Sequence, residues 1–183
     1  MPFGLGFFAT SGAGAAANSF ELIQTTVLST NTTDVYFDTV PSTYRHLQIR
    51  ISTRNSTTFS TALRFRPNYD SGFNYWTHRL GTGGSGVNST NADNTGRIDN
   101  LIQTSSAPTG SFGVAVIDIV DASSTTKFKT IKALHGYSDT SANAVQITSI
   151  LWRDTTAINS FWLNCWDGSF LAGSRFSLYG IKA

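Results

Sequence analysis

The sequence predicts an all-β domain, an antiparallel two-sheet sandwich of jelly-roll-like type that follows an extended N-terminal arm. Three observations carry that expectation. Apolar and polar residues alternate with period two in run after run from Phe20 onward, as in strands that bury one face. Charged residues make up only 13% of the chain, about half the usual share, so Ser, Thr, Asn and Gly must supply the solvated surface. Glu21 is the only glutamate whereas aspartates abound, which removes a residue that favours helix and keeps one that favours turns. At 183 residues a single core is expected, large enough to need neither disulfide nor metal.

Residues 1–20 carry no charge and read as an arm, separate from a sandwich domain over residues 21–183. Phe3, Leu5, Phe7 and Phe8 form an apolar tip, and Gly12-Ala13-Gly14-Ala15-Ala16-Ala17 a spacer with little side chain to bury. Exposed on a free monomer the tip would be sticky, so it either folds back on its own domain or, the reading preferred here, docks onto a neighbouring subunit or partner protein. It does not read as a signal peptide. No Lys or Arg precedes its apolar part, which two glycines interrupt, so synthesis in the cytoplasm without export is expected.

The first strand is expected over Phe20 to Ser29, with Leu22 on one face and Ile23, Thr25 and Val27 on the other. Val35 to Phe37 is short and is followed by the turn signal Pro41. Arg45 to Thr53 is the clearest strand: Leu47, Ile49 and Ile51 point one way, His46, Gln48, Arg50 and Ser52 the other. Ala62 to Arg66 repeats the pattern with Leu63 and Phe65 inward. From Pro67 to Gly96, Asn, Gly, Asp and Ser dominate and predict a long loop region containing one short strand, Tyr75 to Leu80.

Strands resume at Arg97 to Gln103, Ser111 to Val120, Lys127 to Tyr137, Ala144 to Trp152, Ala157 to Trp166 and Arg175 to Ile181. Phe112 to Ile117 is apolar on both faces and should lie centrally. Lys127 and Lys129 suggest a basic edge, of the kind that keeps a sheet from pairing with a stray chain. Phe176, Leu178 and Gly180 alternate with Ser177, Tyr179 and Ile181, so the last strand can close the sandwich or a subunit interface, with Gly180 admitting a close backbone.

Chemistry is sparse. The net charge of +2 is small and its basic residues scattered, which argues against nucleic acid. No stretch reaches the roughly 18–20 apolar residues of a membrane-spanning helix, so no membrane insertion is expected. Cys165 lies in the alternating run Phe161 to Trp166 with no activating base in sight, which makes it a buried core residue rather than a nucleophile. His46, His78 and His135 stand far apart and at no metal-ligand spacing, and Gly81-Thr82-Gly83-Gly84-Ser85-Gly86 lacks the Lys and helix of a phosphate cradle. No metal and no cofactor is expected. Asp118, Asp121, Asp154 and Asp167 could in principle supply a glycosidase pair, but aspartate at a strand end is ordinarily a turn former, so the expectation is no enzyme.

The aromatic residues offer a better lead. Trp162 and Trp166 lie opposite Phe161 and Leu163, either covered by neighbours or presented outward as a platform. In the irregular region Phe73, Tyr75, Trp76 and His78 are the candidate ligand or host contacts, with flat faces and polar edges that suit sugars or proteins.

Three stretches bear a resemblance. Leu171-Ala172-Gly173-Ser174-Arg175-Phe176-Ser177-Leu178-Tyr179-Gly180-Ile181-Lys182-Ala183, Val40-Pro41-Ser42-Thr43-Tyr44-Arg45-His46-Leu47-Gln48-Ile49-Arg50, and Phe112 to Asp118 with Lys127-Phe128-Lys129-Thr130 resemble corresponding parts of structural proteins of tailed bacteriophages. The resemblance implies a noncatalytic virion component: a tail fibre, a baseplate appendage or a capsid-decorating protein. It further implies a jelly-roll-like sandwich that often trimerises, and other virion proteins as partners. A homo-oligomer, with a trimer preferred, is therefore expected in the virion. The alternative is a carbohydrate-binding adhesin in which Tyr75 and Trp76 stack on a host surface glycan.

Overall fold

A computed structural model describes residues 19–57, 63–83, 86–95, 110–138 and 143–182. The arm tip with Phe3, Leu5, Phe7 and Phe8, and the strand expected at Arg97 to Gln103, lie outside the described residues. Among those described, eleven strands form: β1 (Phe20–Val27), β2 (Asp34–Phe37), β3 (His46–Thr53), β4 (Leu63–Pro67), β5 (Tyr75–Gly83), β6 (Gly86–Thr95), β7 (Gly113–Val120), β8 (Lys129–Ser138), β9 (Asn143–Trp152), β10 (Phe161–Cys165) and β11 (Arg175–Ile181).

They make an all-β antiparallel sandwich with one large sheet, β1-β11-β3-β7-β8-β9-β5-β6, and one small sheet, β2-β10-β4. The winding is that of a jelly roll. β1 pairs with β11, β2 with β10, and β3 with β7, so early and late strands zip into nested pairs while the first four strands alternate between the sheets. Strands β8, β9, β5 and β6 then extend the large sheet by four.

Period-two alternation places the core between the sheets. Leu47, Ile49 and Ile51 on β3, Ala115, Ile117 and Ile119 on β7, and Phe176 and Leu178 on β11 are buried on the inner face of the large sheet. Val35, Phe37, Leu63, Phe65, Phe161 and Leu163 are buried from the small one. The Phe65 and Phe161 rings stack at 5.2 Å, and Phe170 meets Phe176 edge to face at 5.0 Å. Cys165 belongs to this core; burial pushes its thiol up to about 12, and its Sγ donates to the Asp167 carbonyl at 3.2 Å.

Four expectations are corrected. The loop region expected from Pro67 to Gly96 is largely the β5–β6 hairpin. Its second strand escapes the alternation test because β6 is an edge strand exposed on both faces for most of its described length, so no hydrophobic period is imposed. The expected basic edge is a central strand, since β8 lies between β7 and β9. Lys129 is 0% exposed there, and its Nζ donates to the carbonyls of Ser124, Lys127 and Thr155 at 2.8, 2.9 and 3.0 Å. On β1 a register shift between Leu22 and Gln24 puts Leu22, Thr25 and Val27 on one outer face, where alternation alone had separated Leu22 from the other two. Finally, the close approach at Gly180 is made by a ring. A Cβ there would overlap Tyr44, whose hydroxyl donates to Glu21 Oε2 at 2.7 Å.

Candidate functional site on the outer face of the large sheet

Among the described residues, the face of the large sheet turned away from the core is covered by its own side chains alone, and cross-strand register arranges them in rows. One row runs Val114, Gly136, Val145, Thr82 and Val87 across β7, β8, β9, β5 and β6. The next runs Val116, Leu134, Ile147, Leu80 and Ser89. Val114 is 60% exposed, and Leu134, Val145, Ile147, Leu80 and Val87 are exposed with it. At about 4.8 Å per strand, this apolar patch spans roughly 19 Å over five strands. The expectation that Phe112 to Ile117 is apolar on both faces and central is thus met in position, while one of its faces has no cover among the described residues.

A polar row follows: Gln48, Asp118, Lys132, Ser149, His78 and Asn91. Gln48 Nε2 donates to Asp118 Oδ1 at 2.7 Å, and Lys132 pairs with the other carboxylate oxygen at 3.3 Å. Beyond it lies a last row, Val120, Thr130, Leu151 and Trp76.

A groove of 460 Å³ opens between these two rows, lined by Trp76, His78, Asn91, Asp93, Ser149 and Leu151 among others. Register places it on the outer face. His78 pairs with Asn91 and Thr77 with Ala92, so Asp93 follows opposite Trp76 and shares the face of Asn91. Tyr75 then pairs with Thr95, so a β-bulge at residues 93 and 94 interrupts the ladder beside the groove. Arg153, one residue past β9, lays its guanidinium over the Trp76 ring at 4.5 Å from the centroid and over Phe128 at 5.7 Å. Its backbone N–H donates to the Asn74 carbonyl at 2.9 Å. His78 Nε2 lies 3.1 Å from Ser89 Oγ.

Of the four candidate contacts read from sequence, the structure brings two together. Trp76 and His78 line the groove. Phe73 is 70% exposed but sits in the turn before β5, outside the groove lining. Tyr75 is corrected: it is 0% exposed, stacked on Trp152 at 6.5 Å, and its hydroxyl donates to the Asp70 carbonyl at 3.0 Å. Period two explains the error, because neighbours on a strand point to opposite faces, and if Trp76 faces out then Tyr75 must face in. Asn91, Asp93, Ser149 and Arg153 were not singled out. The exposed aliphatic residues left a trace in the doubly apolar run Phe112 to Ile117; Asp93 left none, because its strand shows no alternation.

The remaining candidates are accounted for locally. Trp162 Nε1 donates to Asp34 Oδ1 at 2.7 Å with the Arg66 guanidinium 4.8 Å from its ring centroid, and Arg64 stacks on Trp166, so arginines lie over both indoles. Asp121 sits at a turn with φ of 52°, where hydrogen bonds from Lys127 at 2.8 Å and Arg45 at 2.9 Å hold its carboxyl down at about 2. Asp154 accepts from the Thr156 N–H at 2.6 Å, as a turn aspartate does. Among the described residues no group of three or more His, Cys, Asp or Glu is placed to hold a metal ion. No family model, no curated protein and no solved structure matches this chain.

Proposed function

We propose that this chain is a noncatalytic structural subunit of a bacteriophage virion, a tail-fibre or baseplate appendage or a capsid-decorating protein. Copies associate with one another through the outer face of the large sheet, and residues 1–20, with Phe3, Leu5, Phe7 and Phe8, dock the assembly onto other virion proteins. The observation that carries the assembly reading is the pair of adjacent apolar rows around Leu134 and Ile147, exposed across five strands. The largest apolar patch on a monomer commonly covers about 300–600 Å² and is often functional. A patch with flat, regularly spaced aliphatic side chains suits another copy of the same sheet, because packed sheets interdigitate such rows at about 10 Å separation. The virion setting and the preference for a trimer rest on the sequence resemblance.

Light scattering on the purified chain tests the association. The wild type is expected to be oligomeric at micromolar concentration, and Leu134→Asp with Ile147→Asp to be monomeric with its melting curve preserved, since both side chains already face outward. A monomeric wild type, or an oligomer indifferent to both substitutions, would overturn the reading.

A further inference from the structure

The groove beside Trp76 has a chemistry that association through the aliphatic rows leaves unused. We propose that it is a saccharide-binding site and that its ligand is a neutral hexopyranose unit. A pyranose ring presents a face of C–H groups and a rim of hydroxyls that both donate and accept, so its complement is a flat apolar surface edged by mixed polar groups. The groove supplies both. Trp76 is the flat surface, and Arg153 stacked on its ring fixes its orientation in advance of binding.

Around it stand an acceptor pair in the Asp93 carboxylate, a donor and acceptor in the Asn91 amide, and the Ser149 hydroxyl. A carboxylate accepts from two adjacent sugar hydroxyls at once, which an apolar protein partner could not satisfy. The 460 Å³ volume falls within the range of about 300–1,000 Å³ usual for small-ligand sites. Asp93 also sets the ligand's charge class. Its carboxylate, part of the lining, would repel an acidic sugar or a phosphate and accept from the hydroxyls of a neutral ring.

Register ties this site to the fold. Asp93 lies two residues from Asn91 on β6 and opposite Trp76 on β5, so strand alternation brings the carboxylate and the indole to one face.

The test uses the full chain on an array of immobilised oligosaccharides ending in glucose, galactose or mannose, beside sialylated and uronic-acid-ended ones, followed by fluorescence titration with the free oligosaccharide of the best hit. Wild type is expected to bind at least one neutral hexose. Trp76→Ala should weaken it at least 10-fold, and Asp93→Asn similarly, while Trp76→Phe keeps a stacking face and should retain most of the binding. Equal melting temperatures exclude loss of fold as the cause. Absence of binding to any neutral hexose, preference for the acidic set, or wild-type affinity retained by Trp76→Ala or by Asp93→Asn would each sink the proposal. Leu134→Asp should leave the intrinsic affinity for the free sugar unchanged, so failure here and failure of the association reading are told apart.

Discussion

Two buried polar side chains decide most at the residue scale. Lys129 replaces water with three carbonyls, from Ser124, Lys127 and Thr155, and thereby ties the segment before β8 to the segment after β9. A buried ammonium persists only when its protons find acceptors, and removing it strands those acceptors. Lys129→Met is therefore expected to cost about 3 kcal/mol, read by urea denaturation. A surface lysine would cost almost nothing, so the measurement separates the two positions sharply.

His135 is the opposite case. It is 7% exposed on the inner face of β8, and its Nε2 has no hydrogen-bond partner among the described residues. Burial, and then the charge of Arg79, push its pKa down to about 4. The unfolded chain binds a proton near pH 6.5 while the fold resists until about 4, so stability is full above the first value and falls as pH drops toward the second. The slope approaches about 1.4 kcal/mol per pH unit within that window. Denaturation of wild type and His135→Phe at pH 7 and pH 4.5 should show the wild type losing more on acidification. Equal losses would remove His135 as the cause.

Strands are legible in this sequence in proportion to how one-sided their burial is. β3 was readable residue by residue because Leu47, Ile49 and Ile51 all face the core and His46, Gln48 and Arg50 do not. β4 and β10 were readable for the same reason. β6 was not: Ser89, Thr90 and Asn91 are all exposed, and a strand without a core face carries no period to detect. The groove was half legible for a related reason, since Trp76 announces itself by residue type while Asp93 joins it only through the β5–β6 register, and register is a property of the pairing rather than of either strand. The same exposure has a dynamic consequence. Among the described residues β6 is held on one side only, by β5, so its outer amides should exchange with deuterium faster than those of β8, which is paired on both sides, by roughly two orders of magnitude or more. Hydrogen exchange read by NMR checks this, and comparable protection in β6 and β8 would show that something covers the edge in solution.

At the scale of the whole molecule, composition and periodicity sufficed for an all-β antiparallel sandwich, and they did so because packing imposes a two-residue rhythm on every strand it buries. They could not say how unequal the sheets are. An eight-stranded sheet against a three-stranded one leaves the outer face of the larger to be explained by something other than the core, and β7, β8 and β9 carry aliphatic residues on both sides. The two proposed uses, assembly and sugar recognition, would divide one face between them, the aliphatic rows at one end and the Trp76 groove at the other.

The nested pairing has a temporal side. β1 waits for β11, and β2 and β4 both wait for β10, so the small sheet and the β1–β11 end of the large one cannot form while the ribosome is still making the middle of the chain. The β7–β8–β9 meander, paired between neighbours in sequence, can form first. The nascent protein thus carries unpaired strands with apolar faces for most of its synthesis, and its yield in a cell should depend on chaperone supply more than its final stability would indicate.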